Sequence, residues 1–336
     1  MRPFTSLREG TAPPVAVEIA AGRVSAASLE RRGGQPVVAQ HVTELLPDGA
    51  LAPSLTATNT HDRAAVMTAL NRALEKVGRP RRVGLVVPDT IAKVSLVRFE
   101  HVPARTADLD QLVRWQVRKS APFPIEEAQV SYVSAMRHAD GQEFVVSLAR
   151  RDVIQEYEEL CAEAGAHAGL VDLATFNVIN AVLAGSAAQA ADSSPGSGSL
   201  RAESRSDWLL VNVAADSASI ALLRGPHLIF FRNRANDSEG TLADLVHQTA
   251  MYYEDRLQGA GFNRVVLAGA AVGSARLGEV EQVRRSLEER LSARVETVDP
   301  RAAASLTDRI AAAPALLDTL APLVGLLLRD REGVAV

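Results

Sequence analysis

Cysteine is almost missing from this chain of 336 residues: Cys161 is the only one, which excludes an intrachain disulfide and any all-cysteine metal site. Aromatic residues are scarce at 4%, so the core must be built from Ala, Val, Leu and Ile, and stacking platforms for single-stranded nucleic acid are hard to assemble. Basic excess is lacking too. With 36 Lys+Arg against 40 Asp+Glu the net charge is −4, and nucleic acid is not expected as a partner. A membrane helix needs about 20 consecutive, mostly apolar residues. The nearest run, Leu316 to Leu328, contains Asp318, Thr319, Pro322 and Gly325, and reads as a buried C-terminal helix with a break. The opening stretch Met1 to Ala21 carries Glu9 and Glu18 and lacks the long apolar segment of a secretory signal, so a cytoplasmic chain is expected. The seven histidines have no metal-ligand spacing, and GxSxG, GxxxxGK and HExxH are missing, so no catalytic residue and no metal ligand is assigned.

What is present is the balance of a globular protein, 47% hydrophobic and 23% charged, at a length that suggests about two domains. A duplication accounts for much of it. Val15 to Leu29 (VAVEIAAGRVSAASL) and Leu209 to Leu223 (LLVNVAADSASIALL) align without gaps, so that Glu18 meets Asn212, Gly22 meets Asp216 and Ser25 meets Ser219. Each reads as strand, tight turn, strand, followed by a further turn and strand. A helical pattern follows each meander, over His61 to Val77 and Thr241 to Leu257, and then a continuous apolar strand, RVGLVV at 82–87 and RVVLA at 264–268. Two duplicated α/β halves are therefore expected. Between them an order β-α-β-β-α predicts an inserted α+β subdomain, with strands at Lys93 to Phe99, Val130 to Met136 and Glu143 to Leu148 and helices at Asp108 to Ser120 and Arg151 to Ala164. The segment Ala184 to Ser206 has no large apolar residue except Leu200 and reads as a flexible loop.

In Trp115 to Tyr132 (WQVRKSAPFPIEEAQVSY) two prolines flank Phe123 and force both Ala121 and Phe123 out of the helical region, so the helix must stop and Phe123 sits on a stiff corner. This helix-PFP-acidic-strand arrangement resembles the type IV pilus assembly protein PilM family, actin-like relatives of the cell-division protein FtsA. The resemblance extends in order along nearly the whole chain. Val15 to Leu29 looks like the first phosphate loop, ARRDVIQEYEELCAEAGAHAGLVDLATFNVINAV like the helix-strand-helix return, Leu209 to Leu223 like the second phosphate loop, and VVLAGAA like the adenosine motif.

The resemblance implies an α/β fold of the duplicated actin-like (ribonuclease H-like) kind with an FtsA/PilM-type α+β insert. It divides the chain into a first half opening at 1–80, an insert with its connecting strands at 81–170, a return helix at 171–183, a loop at 184–206 and a second half at 207–330. It also implies a cytoplasmic scaffold of type IV pilus assembly. Such a scaffold binds the N-terminal tail of a PilN-like bitopic inner-membrane protein in a groove between the first subdomain and the insert, meets other pilus or secretion components, and has no membrane span of its own. Trp115 and Phe123 are the candidates for the insert's side of that surface. An actin-like site binds ATP with Mg through close-approach glycines and carboxylates, and the corresponding positions here are Glu18, Ala20, Gly22, Asn212, Asp216 and Gly269. Ala20 and Ala214 stand where glycines would, Asn212 lacks a charge, and Asp216 adds one of the wrong sign. The expected cofactor is thus none, or ATP with Mg retained without hydrolysis. Two other classes remain: an actin-fold ATPase or kinase, and a GspL-like cytoplasmic component of type II secretion.

Overall fold

The computed structural model describes residues 13–192, 206–236, 241–273, 277–308 and 310–329. The chain begins with an antiparallel meander of β1 (Val15–Ala20), β2 (Arg23–Arg32) and β3 (Gln35–Leu45). Helix α1 (Arg63–Lys76) follows, started by Asp62, whose side chain accepts from the Ala65 amide at 3.0 Å and satisfies one of the free N–H groups of the first turn. Then β4 (Arg82–Val87) lies parallel to β1, buried from Val83 to Val87. The insert comes next: β5 (Ala92–Phe99), α2 (Thr106–Val117), β6 (Ala128–His138) and β7 (Gly141–Arg150). After it, α3 (Arg151–Glu163), β8 (His167–Leu173) and α4 (Ala174–Asp192) return to the first half.

The second half repeats the plan with β9 (Asp207–Val213), β10 (Ser217–Arg224), β11 (His227–Ala235), α5 (Leu242–Leu257), β12 (Arg264–Ala268), the single turn α6 (Ala270–Gly273), α7 (Leu277–Leu291) and β13 (Val295–Thr297). Finally β14 (Ser305–Leu306) and α8 (Pro314–Leu327) close the chain. The sheets run β14-β3-β2-β1-β4-β8 and β11-β10-β9-β12-β13, so the shared five strands have the same order. The register repeats as well. Glu18 pairs with Ser25 as Asn212 pairs with Ser219, and the β-bulge at Ser28/Leu29 recurs at Leu222/Leu223, the positions the ungapped alignment equates.

Helices α1 and α3 cover one face of the first sheet; α4 and α8 cover the other, with α4 also facing the second sheet, whose far side carries α5 and α7. The two halves thus share a central helical layer. Gly325 makes its close packing possible, because a Cβ there would lie 1.7 Å from the Asn177 carbonyl oxygen on α4. The insert's sheet, β5-β7-β6, packs its own helix α2 on one side through Val113, Val117 and Phe144, and turns Val145 and Ala135 toward the second half's core on the other. Among the described residues, no helix is long and apolar enough to cross a membrane.

The observed boundaries correct the expected ones in three places. Within the expected 81–170 unit the insert itself is 92–150 and the connecting strands β4 and β8 pair with each other in the first sheet, but the helix expected in the insert, α3, belongs to the first half, where it buries Val153, Tyr157, Leu160 and Cys161 in that sheet's core. The alanine-rich start of the expected 184–206 loop is helix as far as Asp192, since alanine favours helix without needing a large side chain to bury; residues 193–205 lie outside the described residues. The C-terminal helix runs unbroken through Pro322, and together with β14 it packs on the first half's β1, β2, β3 and β4, so the 207–330 range does not form one half by itself.

Candidate functional site

Cleft between the halves

The β1–β2 turn, the β9–β10 turn and the C-terminal ends of β4 and β12 converge between the two sheets. Strand ends of this kind are where open α/β sheets place ligands. The convergence encloses a cavity of about 30 Å³, room for roughly one or two water molecules. Of the expected residues, Glu18, Ala20, Asn212, Asp216 and Gly269 all line it, with Arg23, Asp89 and Asp318. Gly22 sits in the β1–β2 turn between Ala21 and Arg23, which do line it. The strand ends that the duplication equates thus lie together in one place.

The polar groups there satisfy one another. Arg23 donates to the Glu18 carboxylate through Nε at 3.2 Å and Nη2 at 2.9 Å, so the carboxylate that was to face a metal has a cation of its own. Asp89, just beyond β4, accepts from the Thr175 amide at 3.0 Å, from the Thr175 hydroxyl, and from Ser219 Oγ at 2.7 Å. Asn212 Nδ2 donates to Thr175 Oγ1 at 2.9 Å, and Asn233 Nδ2 donates to Ser219 Oγ at 2.9 Å. Thr90 Oγ1 donates to Asp216 at 3.4 Å. On the far wall, Asp318 of α8 accepts from the Ala271 amide at 2.7 Å and from the Gly269 amide. Gly269 has φ of +76°, and a Cβ there would meet the Val213 carbonyl at 1.9 Å, so only glycine lets this turn present its amides.

Burial raises the carboxyls of Asp89, Asp318 and Asp216 above the ordinary aspartate value, and the Asp216 charge raises Asp89 further, against the pull of the Thr175 and Ser219 hydrogen bonds. Among the described residues, no group of His, Cys, Asp and Glu is arranged to hold a metal ion. The residues do not fit Mg-ATP. Small-molecule sites usually measure about 300 to 1,000 Å³, the carboxylates face a would-be triphosphate, and the amides at Gly269 and Ala271 already serve Asp318.

Arg23, Asp89, Thr175, Ser219 and Asp318 escaped the sequence reading. One signal was available for two of them: Pro88-Asp89 ends a buried parallel strand, and Asp318 interrupts an apolar helix, where a carboxylate requires a partner.

Junction between the first half and the insert

A second cavity, of about 310 Å³, opens where the insert joins the first half and is lined by Thr58, Thr60, Arg63, Arg150, Asp152, Val153 and Glu156. Its wall is a loop organised by Asn59, fully buried, which donates to the carbonyls of Ser54 and Ala57 and accepts from Tyr157 Oη at 2.9 Å. Glu156 accepts from the Asn59 and Thr60 amides at 3.0 and 2.6 Å, while Arg150 at the end of β7 reaches the Thr56 carbonyl. Thr60 Oγ1 is buried without a hydrogen-bond partner among the described residues. Neither Trp115 nor Phe123 lines this cavity. Trp115 stands 66% exposed on α2, and Phe123 packs beside the insert's core with Ala121 and Ile125.

Similarity to known proteins

The family model described as type IV pilus assembly protein PilM matches residues 16–256. Among solved structures, the fold is similar to a chain of a PilM-PilN type IV pilus biogenesis complex, at TM-score 0.73 and 16% identity over 95% of this chain and 97% of that one. More distant likenesses are the cytoplasmic domain of EpsL, an inner-membrane component of the type II secretion system of Vibrio cholerae (TM-score 0.43, 12% identity, 83% and 95% covered), and the ethanolamine utilization protein EutJ from Carboxydothermus hydrogenoformans (TM-score 0.47, 9% identity, 96% and 91% covered). A search of curated proteins finds no match.

Proposed function

The chain belongs to the type IV pilus assembly protein PilM family, and from that premise we propose that it is an assembly scaffold which grips the cytoplasmic tail of a PilN-like bitopic membrane protein and hydrolyses no ATP. The observation that carries this reading is the junction cavity. It lies in the first half beside its junction with the insert, has the volume of a ligand site, and is lined by the charged groups of Arg63, Arg150 and Glu156. A short tail segment offers what such a wall lacks: backbone N–H and C=O groups for hydrogen bonding, and one or two side chains to fill the recess. The likeness to a chain of a PilM-PilN complex supports PilN as the class of partner. In this reading the partner's membrane span holds the protein at the inner face of the inner membrane, and the exposed ring of Trp115 on α2 is left for another part of that partner or for further machinery components.

Titration of the partner's synthetic tail into the folded protein tests the assignment. Arg63→Ala removes a lining side chain whose ion pair with Glu163 is at the surface, so stability is expected to change by less than about 1 kcal/mol, while tail affinity falls by about fivefold to tenfold if the tail lies in this recess. Unchanged affinity in Arg63→Ala, together with loss of binding in Trp115→Ala, would move the tail to the face of α2 and overturn the junction assignment.

A further inference from the structure

In an actin-like protein, a bound nucleotide bridges the two halves by giving each one groups to hold. In this chain the bridging groups are internal. From the first half, Asp89 accepts from Ser219 Oγ of the second at 2.7 Å, Thr90 donates to Asp216 at 3.4 Å, and Thr175 Oγ1 accepts from Asn212 Nδ2 at 2.9 Å. From α8, which packs on β1, β2 and β4, Asp318 takes the Ala271 and Gly269 amides beyond β12. Both walls of the cleft are thus tied across it, and the carboxylate of Asp318 occupies the backbone donors of the adenosine-motif turn.

Apolar contacts close the other side. Phe176 of α4 meets Phe231 of β11 edge-on at 5.6 Å, and Val94, Leu96 and Val145 of the insert join the same cluster as Leu228. The insert therefore wedges against the second half and does not hang from the first. With about 30 Å³ left between the walls, rotation of one half on the other has to break the buried hydrogen bonds that cross between them.

We infer that the cleft is a built-in clasp: Asp89, Thr175 and Asp318 take the bridging place of a nucleotide and hold the halves closed constitutively, without a ligand. This goes beyond the tail-binding scaffold and does not depend on where the tail docks. Its consequence is a protein whose interlobe geometry is indifferent to nucleotide, so that the surface spanning the insert and both halves is presented in one shape at all times.

Spin labels on cysteines introduced at Asn71 of α1 and Asp255 of α5, both exposed, report the distance between the halves by pulsed electron resonance; the native Cys161 is fully buried and out of reach of the label. The clasp predicts one narrow distance distribution, unmoved by millimolar Mg-ATP, that broadens toward longer distances in the Ser219→Ala/Asp318→Ala variant. A broad parent distribution that narrows with Mg-ATP would overturn it, as would a folded double variant with the parent's distribution. If the double variant does not fold, Ser219→Ala alone, which removes one hydroxyl and no apolar packing, is read by the same two criteria. Tail affinity measured on the same samples separates this result from the fate of the junction assignment.

Discussion

A buried carboxyl at position 89 is held by donors from both halves of the molecule. Its pKa is raised by burial above the ordinary value near 3.8. The folded state therefore holds the Asp89 proton more tightly than the unfolded chain does. The stabilisation this contributes is fully present below the unfolded value and drains as pH rises from about 3.8 through the raised folded value. Asp89→Asn removes that titration while keeping an oxygen for the Thr175 amide and an amino group that the Thr175 and Ser219 hydroxyls can accept from. The stability of Asp89→Asn relative to the parent is expected to improve steadily as pH is raised from 4, measured by urea unfolding at a series of pH values; a pH-independent difference would contradict the buried site. Glu18 and Asn212 were legible in the sequence because duplication aligned them. Asp318 was not, because its partners at Gly269 and Ala271 lie in another element and no local pattern connects them.

Among the elements, the helical layer between the sheets fixes the most and was read least well. Strands β4 and β12 were legible to the residue, since a short, continuous apolar run can satisfy burial on both faces in only one way. Helix α4 was cut short in the reading because its last turns carry alanine and serine in place of large apolar groups. Those small residues serve close approach: a Cβ at Gly185 would come within 2.9 Å of the Ala302 Cβ. The same geometry is sharper at Gly325 in α8, where the Asn177 carbonyl occupies the space of a side chain. On an exposed helix, Gly→Ala stabilises by about 1 kcal/mol. At Gly325 the sign reverses: Gly325→Ala should cost about 2 to 3 kcal/mol through forced separation of α4 and α8, seen as a lower midpoint in guanidinium unfolding. A midpoint equal to or above the parent's would mean that the layer is looser than described.

For the whole molecule, two α/β halves share strand order, register and even paired bulges, and the cleft between them is filled with side chains. Alanine at positions 20 and 214 is the trace of that filling in the sequence, and among the described residues no helix is long and apolar enough to cross a membrane. Neither trace located the junction cavity, whose loop, helix and strand come from segments almost a hundred residues apart, Asn59 and Glu156 among them. The central claim is a tail-binding scaffold that needs no nucleotide. Its most direct test is calorimetric titration of the PilN-like partner's tail peptide into the purified protein, with and without millimolar Mg-ATP. The account predicts saturable binding without nucleotide and a Kd changed less than about twofold by adding it. Failure to bind at high micromolar peptide, or binding that appears only with Mg-ATP, would contradict it.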